Sequence, residues 1–143
     1  MKKIFLALVA ITFATSGILA EDITGVWKTI DDETGKAKSH VNIWVHNGVA
    51  YGKITKLLNR GPNEEADPLC TKCTGESKNK KIIGLTIIWG LKQDDGEWKG
   101  GHIMDPNNGK IYKCKIKREG NLLKVRGFIG FSLIGRTQTW HKS

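Results

Sequence analysis

Glycine-bearing turn signals recur along this chain with short alternating runs between them, and this pattern restricts the possible folds more than any other feature. The signals are Thr34-Gly35, Asn47-Gly48, Asp94-Asp95-Gly96, Asn107-Asn108-Gly109 and Glu119-Gly120-Asn121. Asn-Gly and Asp-Gly suit hairpin turns because these residues accept positive φ. Between the signals, polarity alternates with period two. In Ile111 to Lys117, Tyr112, Cys114 and Ile116 face one way while Lys113, Lys115 and Lys117 face the other. Val41, Ile43 and Val45 alternate in the same manner with Asn42, Trp44 and His46. Such alternation belongs to strands with one buried and one wet face. The chain carries 17 glycines in 143 residues. At about 1 kcal/mol each in a helix interior, they argue against an all-helical fold.

Eight strands are expected, near residues 23–31, 39–46, 49–58, 82–91, 97–104, 110–118, 121–128 and 130–140. Hairpin spacing makes successive strands antiparallel neighbours. An open sheet of eight would leave two bare edges, and closing it removes both. The expected fold is therefore all-β, an antiparallel up-and-down eight-stranded barrel, with a two-sheet sandwich as the runner-up. An interior of this size is either packed solid or holds one small ligand. Gly52, Gly84, Gly100 and Gly127, expected within strands, would remove side-chain volume and ease bending. The segment from Asn59 to Lys80 is too long for a hairpin turn, and loops of that length usually carry function or mobility.

The first twenty residues read as a secretory signal peptide. Lys2 and Lys3 are followed by an apolar run from Ile4 to Phe13, then by small residues ending at Ala20 before Glu21-Asp22. The run is too short to span a bilayer as a helix. Residues 21–143 then form a single domain of 123 residues, 39% of the whole chain being apolar and the mature net charge falling from +9 to +7. Such a chain is long enough to bury its own core. The short Lys-Lys start points to a bacterial envelope protein, periplasmic in a Gram-negative cell.

Gly25-Val26-Trp27 opens the first strand and Arg136 lies in the last. This pair resembles the lipocalin, or calycin, arrangement, in which a Gly-x-Trp packs beneath an arginine of the last strand. The resemblance implies barrel closure by Gly25, Trp27 and Arg136. A longer likeness runs through Trp27-Lys28-Thr29-Ile30-Asp31-Asp32, Pro68-Leu69-Cys70-Thr71-Lys72-Cys73-Thr74-Gly75 and Gly100-Gly101-His102-Ile103-Met104-Asp105-Pro106. It continues through Gly109-Lys110-Ile111-Tyr112, Val125-Arg126-Gly127-Phe128-Ile129-Gly130 and Gly135-Arg136-Thr137-Gln138-Thr139-Trp140. Together these resemble a lipocalin-like family of small exported bacterial proteins classed as a domain of unknown function. The resemblance implies a lipocalin-like barrel and brings no settled activity.

In an oxidising compartment, Cys70 and Cys73 read first as a structural disulfide. A redox-active pair would need its first thiol at a helix N-terminus, and no helical run follows Cys73. A zinc site would need two further ligands, for which Cys114 and a histidine have no informative spacing. Cys114 lies on the apolar face of its strand and reads as a buried free thiol. No nucleophile elbow, phosphate-cradling loop or paired-carboxylate strand is present, so an enzyme is not expected, nor a metal or other cofactor. Lys110, Lys113, Lys115, Lys117, Arg118, Lys124 and Arg126 fall within seventeen residues, opposed only by Glu119. On an exported chain such a face meets anionic envelope components and not nucleic acid, or simply keeps the protein soluble. Strands of seven to nine residues are short for a membrane-spanning barrel.

These observations predict a periplasmic binding protein for a small, largely apolar ligand, such as a fatty-acyl lipid, held inside the barrel. Trp44, Trp89, Trp98 and His102 are the expected lining, with the Asn59–Lys80 loop covering or flanking the open end. The alternative is an envelope interaction module with a filled barrel, docking through its basic face or the Cys70–Cys73 loop.

Overall fold

In the computed structural model, which describes residues 18–143, the chain forms eight strands. They are β1 (Gly25–Ile30), β2 (Ala37–His46), β3 (Val49–Leu57), β4 (Thr86–Asp94), β5 (Glu97–Met104), β6 (Ile111–Glu119), β7 (Leu122–Phe128) and β8 (Gly135–Lys142). Each pairs antiparallel with the next, and β8 returns to β1, so the sheet closes in the order β1 to β8. The expected up-and-down barrel is the observed fold. The β1–β8 seam is short, pairing Trp27 with Lys142 and Lys28 with His141. The signal peptide expected over residues 1–20 lies, for residues 1–17, outside the described residues. Ala20 is described, and its backbone N–H donates to Gln93 Oε1 at 3.2 Å.

Two strands, β4 and β8, start four and five residues later than expected for the same reason, a glycine with positive φ. Residues 82–85 form a turn and not the start of β4, with Gly84 at φ +95 and Leu85 N donating to Ile82 O at 3.1 Å. Residues 129–134 form a loop and not the start of β8, with Gly130 at φ +71 and the loop ends bonded from Ile129 N to Ile134 O. The apolar residues Phe128, Ile129, Phe131, Leu133 and Ile134 make that loop resemble a strand in sequence.

Period-two alternation sorts the wall into lumen and outer positions. Trp27, Val41, Ile54, Ile88, Leu91, Trp98, Cys114, Ile116, Leu123, Val125 and Trp140 are buried in one core. Bulges interrupt the register at His40/Val41, Ala50/Gly52/Lys53 and Trp98/Gly101. An extra residue on one strand bends it and increases local twist, which helps a small sheet close.

The odd-numbered connections gather at one end, which we call the mouth. The other end is the base, where residues 20–24 cross the barrel. There Ile23 is fully buried, Trp27 Nε1 donates to Ile23 O at 2.9 Å, and Trp98 Nε1 donates to Glu21 O at 3.1 Å. Buried indoles thus keep a hydrogen-bond partner, as their polar N–H groups require.

Candidate functional site

The base is sealed by cations stacked on Trp27, but they are not the expected one. Arg118 of β6 holds its guanidinium 5.4 Å from the Trp27 ring centre, and Lys142 of β8 holds its ammonium at 5.0 Å. Arg118 also donates to Gly120 O at 2.8 Å and to Asp22 O at 2.7 Å. Gly25, at φ +112, starts β1 beside them, and the end of the Lys142 side chain lies 2.9 Å from where a Cβ would stand. The Asp22 carboxyl is held below its usual range, first by the Thr24 backbone N–H and with help from Arg118 and Lys142.

Arg136 does not close the base. β8 starts at Gly135 and reaches Trp27 only with Lys142, so Arg136 sits at the mouth. There its guanidinium pairs with Asp32 at 2.6 Å. Gln138 donates to the same Asp32 oxygen at 3.2 Å, and Trp140 Nε1 donates to Gln138 Oε1 at 3.1 Å. A polar chain therefore climbs from the core to the rim through Trp140, Gln138, Asp32 and Arg136. Beside it, the Thr29 and Ser39 hydroxyls share a buried hydrogen bond of 2.6 Å.

Of the four expected lining residues, only Trp98 faces the lumen, and it is fully packed at the base. Trp44 follows lumen-facing Ile43 and points outward, stacked on Tyr51 at 5.6 Å with Lys53 over its ring. Trp89 follows lumen-facing Ile88, pairs with His102, and stacks on it at 5.8 Å on the outer wall. The bulge at Trp98/Gly101 reverses the facing of residues after it. That is why His102 does not share the Trp98 side, a shift that spacing alone does not reveal.

The lumen is packed at its base and middle, and toward the mouth its side chains become partly exposed. At Gly52, an added Cβ would lie 3.2 Å from Ile88 Cδ1 and 3.3 Å from Val41 Cγ1, so its neighbours already fill the space left by the missing side chain. Higher up, an added Cβ at Gly127 meets Tyr112 Cβ only at 3.5 Å and Ile103 Cγ2 at 3.6 Å, ordinary contact distances. Ile103, Tyr112, Gly127 and Gln138 face the lumen yet are half-buried. The Tyr112 hydroxyl accepts from Asn108 Nδ2 at 3.2 Å. Of the other glycines expected to hollow out strands, Gly84 belongs to a turn and Gly100, at φ +82, to a bulge.

The cysteine part of the Asn59–Lys80 segment packs against the outer wall beside the β5–β6 connection. Cys70 and Cys73 are disulfide-bonded and buried. Cys73 Sγ lies 3.5 Å from Met104 Sδ, and Cys70 Sγ lies 3.8 Å from Pro106 O. Cys70 N donates to Lys80 O at 2.7 Å, tying the loop to itself. A crevice of about 30 Å³ between this loop and the outer wall is lined by Cys73, Thr74, Trp89 and Met104. That is room for water, far below the hundreds of Å³ of a ligand pocket. Cys114 is a free buried thiol whose pKa burial pushes up to about 12. Among the described residues, no group of three or more His, Cys, Asp or Glu side chains is placed to hold a metal ion. No helix among them is long and apolar enough to cross a membrane.

Two features of the site carry no local sequence signal. For the Trp27–Arg118 contact and the Asp32–Gln138–Trp140 chain, strand parity gives only the facing, as Arg118 follows Ile116 on one face and Gln138 precedes Trp140. Their meeting depends on barrel closure.

A solved structure gives the fold independent support. The structure described as protein HP1028 from Helicobacter pylori, belonging to the lipocalin family, superposes with a TM-score of 0.72. At 20% identity it covers 85% of this chain and 83% of its own. No curated protein matches. A family model described as an uncharacterized protein conserved in bacteria (DUF2147) matches residues 25–142. With nearly the whole described barrel inside that match, the chain belongs to this bacterial family, and its fold is a lipocalin-like closed barrel.

Proposed function

We propose that this protein is a binding protein of the bacterial envelope, periplasmic after removal of residues 1–20, and that it takes a small amphipathic molecule at the barrel mouth. The observation that carries the reading is the gradient along the lumen. Trp27, Ile43, Leu91, Leu123 and Trp140 at the base and middle are buried at 0–2% exposure, whereas Ile103, Tyr112 and Gln138 on the same inner surface are half-open to solvent. The filled base favours a short ligand held at the mouth over a long acyl chain threaded down the axis. The apolar part of a ligand would lie against Ile103 and Tyr112, next to the methyl-sized space at Gly127. A polar end would meet Gln138 and Arg136, whose donors are only partly engaged by Asp32. The half-exposed donors at the rim match the common design of small-molecule sites, an apolar surface with a few placed polar groups.

Native mass spectrometry of protein purified from its own host tests this reading, together with a Gly127→Leu variant whose side chain outgrows the methyl-sized space there and occupies the lumen beside Ile103 and Tyr112. The expected result is a bound small-molecule mass on the parent protein, lost from the variant at unchanged melting temperature. A parent that carries no added mass, or a variant that retains it, overturns the assignment. The same spectrum reads localisation: a mature N-terminus at Glu21 supports export.

A further inference from the structure

We propose that the loop between β7 and β8 docks this protein onto an anionic phospholipid surface. Residues 129–134 present four large apolar side chains to solvent: Ile129 is 66% exposed, Phe131 78%, Leu133 91% and Ile134 67%. The loop is held in place by its own backbone. Ile129 N donates to Ile134 O at 3.2 Å and Ile134 N to Phe131 O at 3.0 Å. Arg126 Nε donates to Ser132 O at 2.6 Å, and Lys113 Nζ reaches Gly130 O at 3.5 Å. An ordered loop that leaves four such side chains in water has a binding surface built into it, since contiguous exposed apolar patches mark interaction sites.

Charge identifies the occupant. The outer wall running down from this loop carries Lys113, Lys115 and Lys117 of β6 and Lys124 and Arg126 of β7. Lower on that wall, toward the base, Lys115, Lys117, Lys124, Arg126 and Thr137 line a groove of about 200 Å³, with Glu97 and Glu119 as its acids. Glu97 is already engaged by Lys99. An apolar tip beside a lysine-rich wall is the composition of peripheral membrane binders, in which apolar side chains enter the headgroup region and cations meet lipid phosphates. A six-residue loop reaches the interface and does not span the bilayer. The loop projects from the mouth end, so docking brings the mouth to the membrane. The inference stands on the loop and wall alone and holds whether or not the mouth takes a ligand.

Flotation with phospholipid vesicles tests it, using phosphatidylethanolamine–phosphatidylglycerol vesicles against phosphatidylcholine vesicles. The parent protein is expected to float with the anionic vesicles, less so as salt is raised, and to stay behind with the neutral ones. Phe131→Ser/Leu133→Ser should lower the partition by about tenfold or more at unchanged melting temperature. Lys115→Glu/Lys117→Glu, which leaves the loop intact, should do the same, each cation near such a surface being worth about a factor of five. The proposal is overturned if the parent binds neither vesicle type, or if both variants float as well as the parent. It is also overturned if sedimentation shows a dimer that Phe131→Ser/Leu133→Ser dissolves, which would assign the patch to a second copy of the chain.

Discussion

Arg118 and Trp27 meet at the base of the barrel, the guanidinium 5.4 Å from the indole centre, although 90 residues separate them in sequence. Lys142 approaches the same ring at 5.0 Å. The ring is thus attended by cations from β6 and β8, and the arginine comes from a different strand than the lipocalin-like pattern implies. Its donors also anchor the crossing segment through Asp22 O, so one side chain closes the barrel and fixes the chain that plugs it.

Replacing these residues should separate base from rim. Trp27→Ala removes a fully buried ring and is expected to cost about 3–5 kcal/mol. Arg118→Ala loses a cation–π contact and charged hydrogen bonds, about 1–3 kcal/mol. Arg136→Ala breaks an exposed pair and should cost under about 1 kcal/mol. Urea denaturation of the three variants checks the order. An Arg136 variant weaker than the Arg118 variant would reverse the assignment.

The two strand glycines of the lumen should respond differently to a single methyl group. Gly52→Ala forces a Cβ between Val41 and Ile88 and is expected to cost about 1–3 kcal/mol by overpacking. Gly127→Ala enters ordinary contact distance and should change stability by less than about 1 kcal/mol. Thermal melts of both variants measure the gradient of packing on which the proposed site depends.

Cys114 should be silent to thiol reagents in the native protein and react once the chain unfolds. Its burial disfavours the thiolate, raising its pKa to about 12. A raised folded pKa gives a stability contribution fully present below the unfolded thiol value of about 8.5. That contribution declines as pH climbs from there toward the folded value. Titration with a chromogenic disulfide at neutral pH should count no thiol in buffer and one in guanidinium, provided Cys70 and Cys73 stay oxidised. Melting temperature should then fall on the alkaline side.

Acid should weaken the base and the β1–β2 turn. Asp22 is held low by the Thr24 N–H, and Asp31 by the Glu33 and Thr34 N–H groups. Lowered folded values mean stability present above the ordinary carboxylate range and lost as pH falls through the folded values. Asp22→Asn and Asp31→Asn variants should show a flatter decline of melting temperature below about pH 4 than the parent. Parallel slopes would remove these carboxylates from the account.

Strand number, order and most boundaries were legible in the chain because turn dipeptides and period-two alternation are local signals. Tyr112, Cys114 and Ile116 could be assigned to one face without knowing what they faced. The site was not legible to the same degree. The bulge at Trp98/Gly101 moved His102 to the outer wall, and a bulge is a property of two paired strands, invisible in either alone.

By itself, the sequence determined eight strands in hairpin succession and the cysteines available to pin the long loop, since alternation, glycine turns and short spacings act over a few residues. The tertiary structure decided which cation reaches Trp27, where the lumen is filled and where its side chains become partly exposed, and that Ile129 to Ile134 stand in water. Those outcomes follow from closing the sheet into a ring, which brings β8 to β1 and seats Val41 and Ile88 in the space at Gly52. No run of neighbouring residues encodes such distances; they arise only when the whole wall is in place.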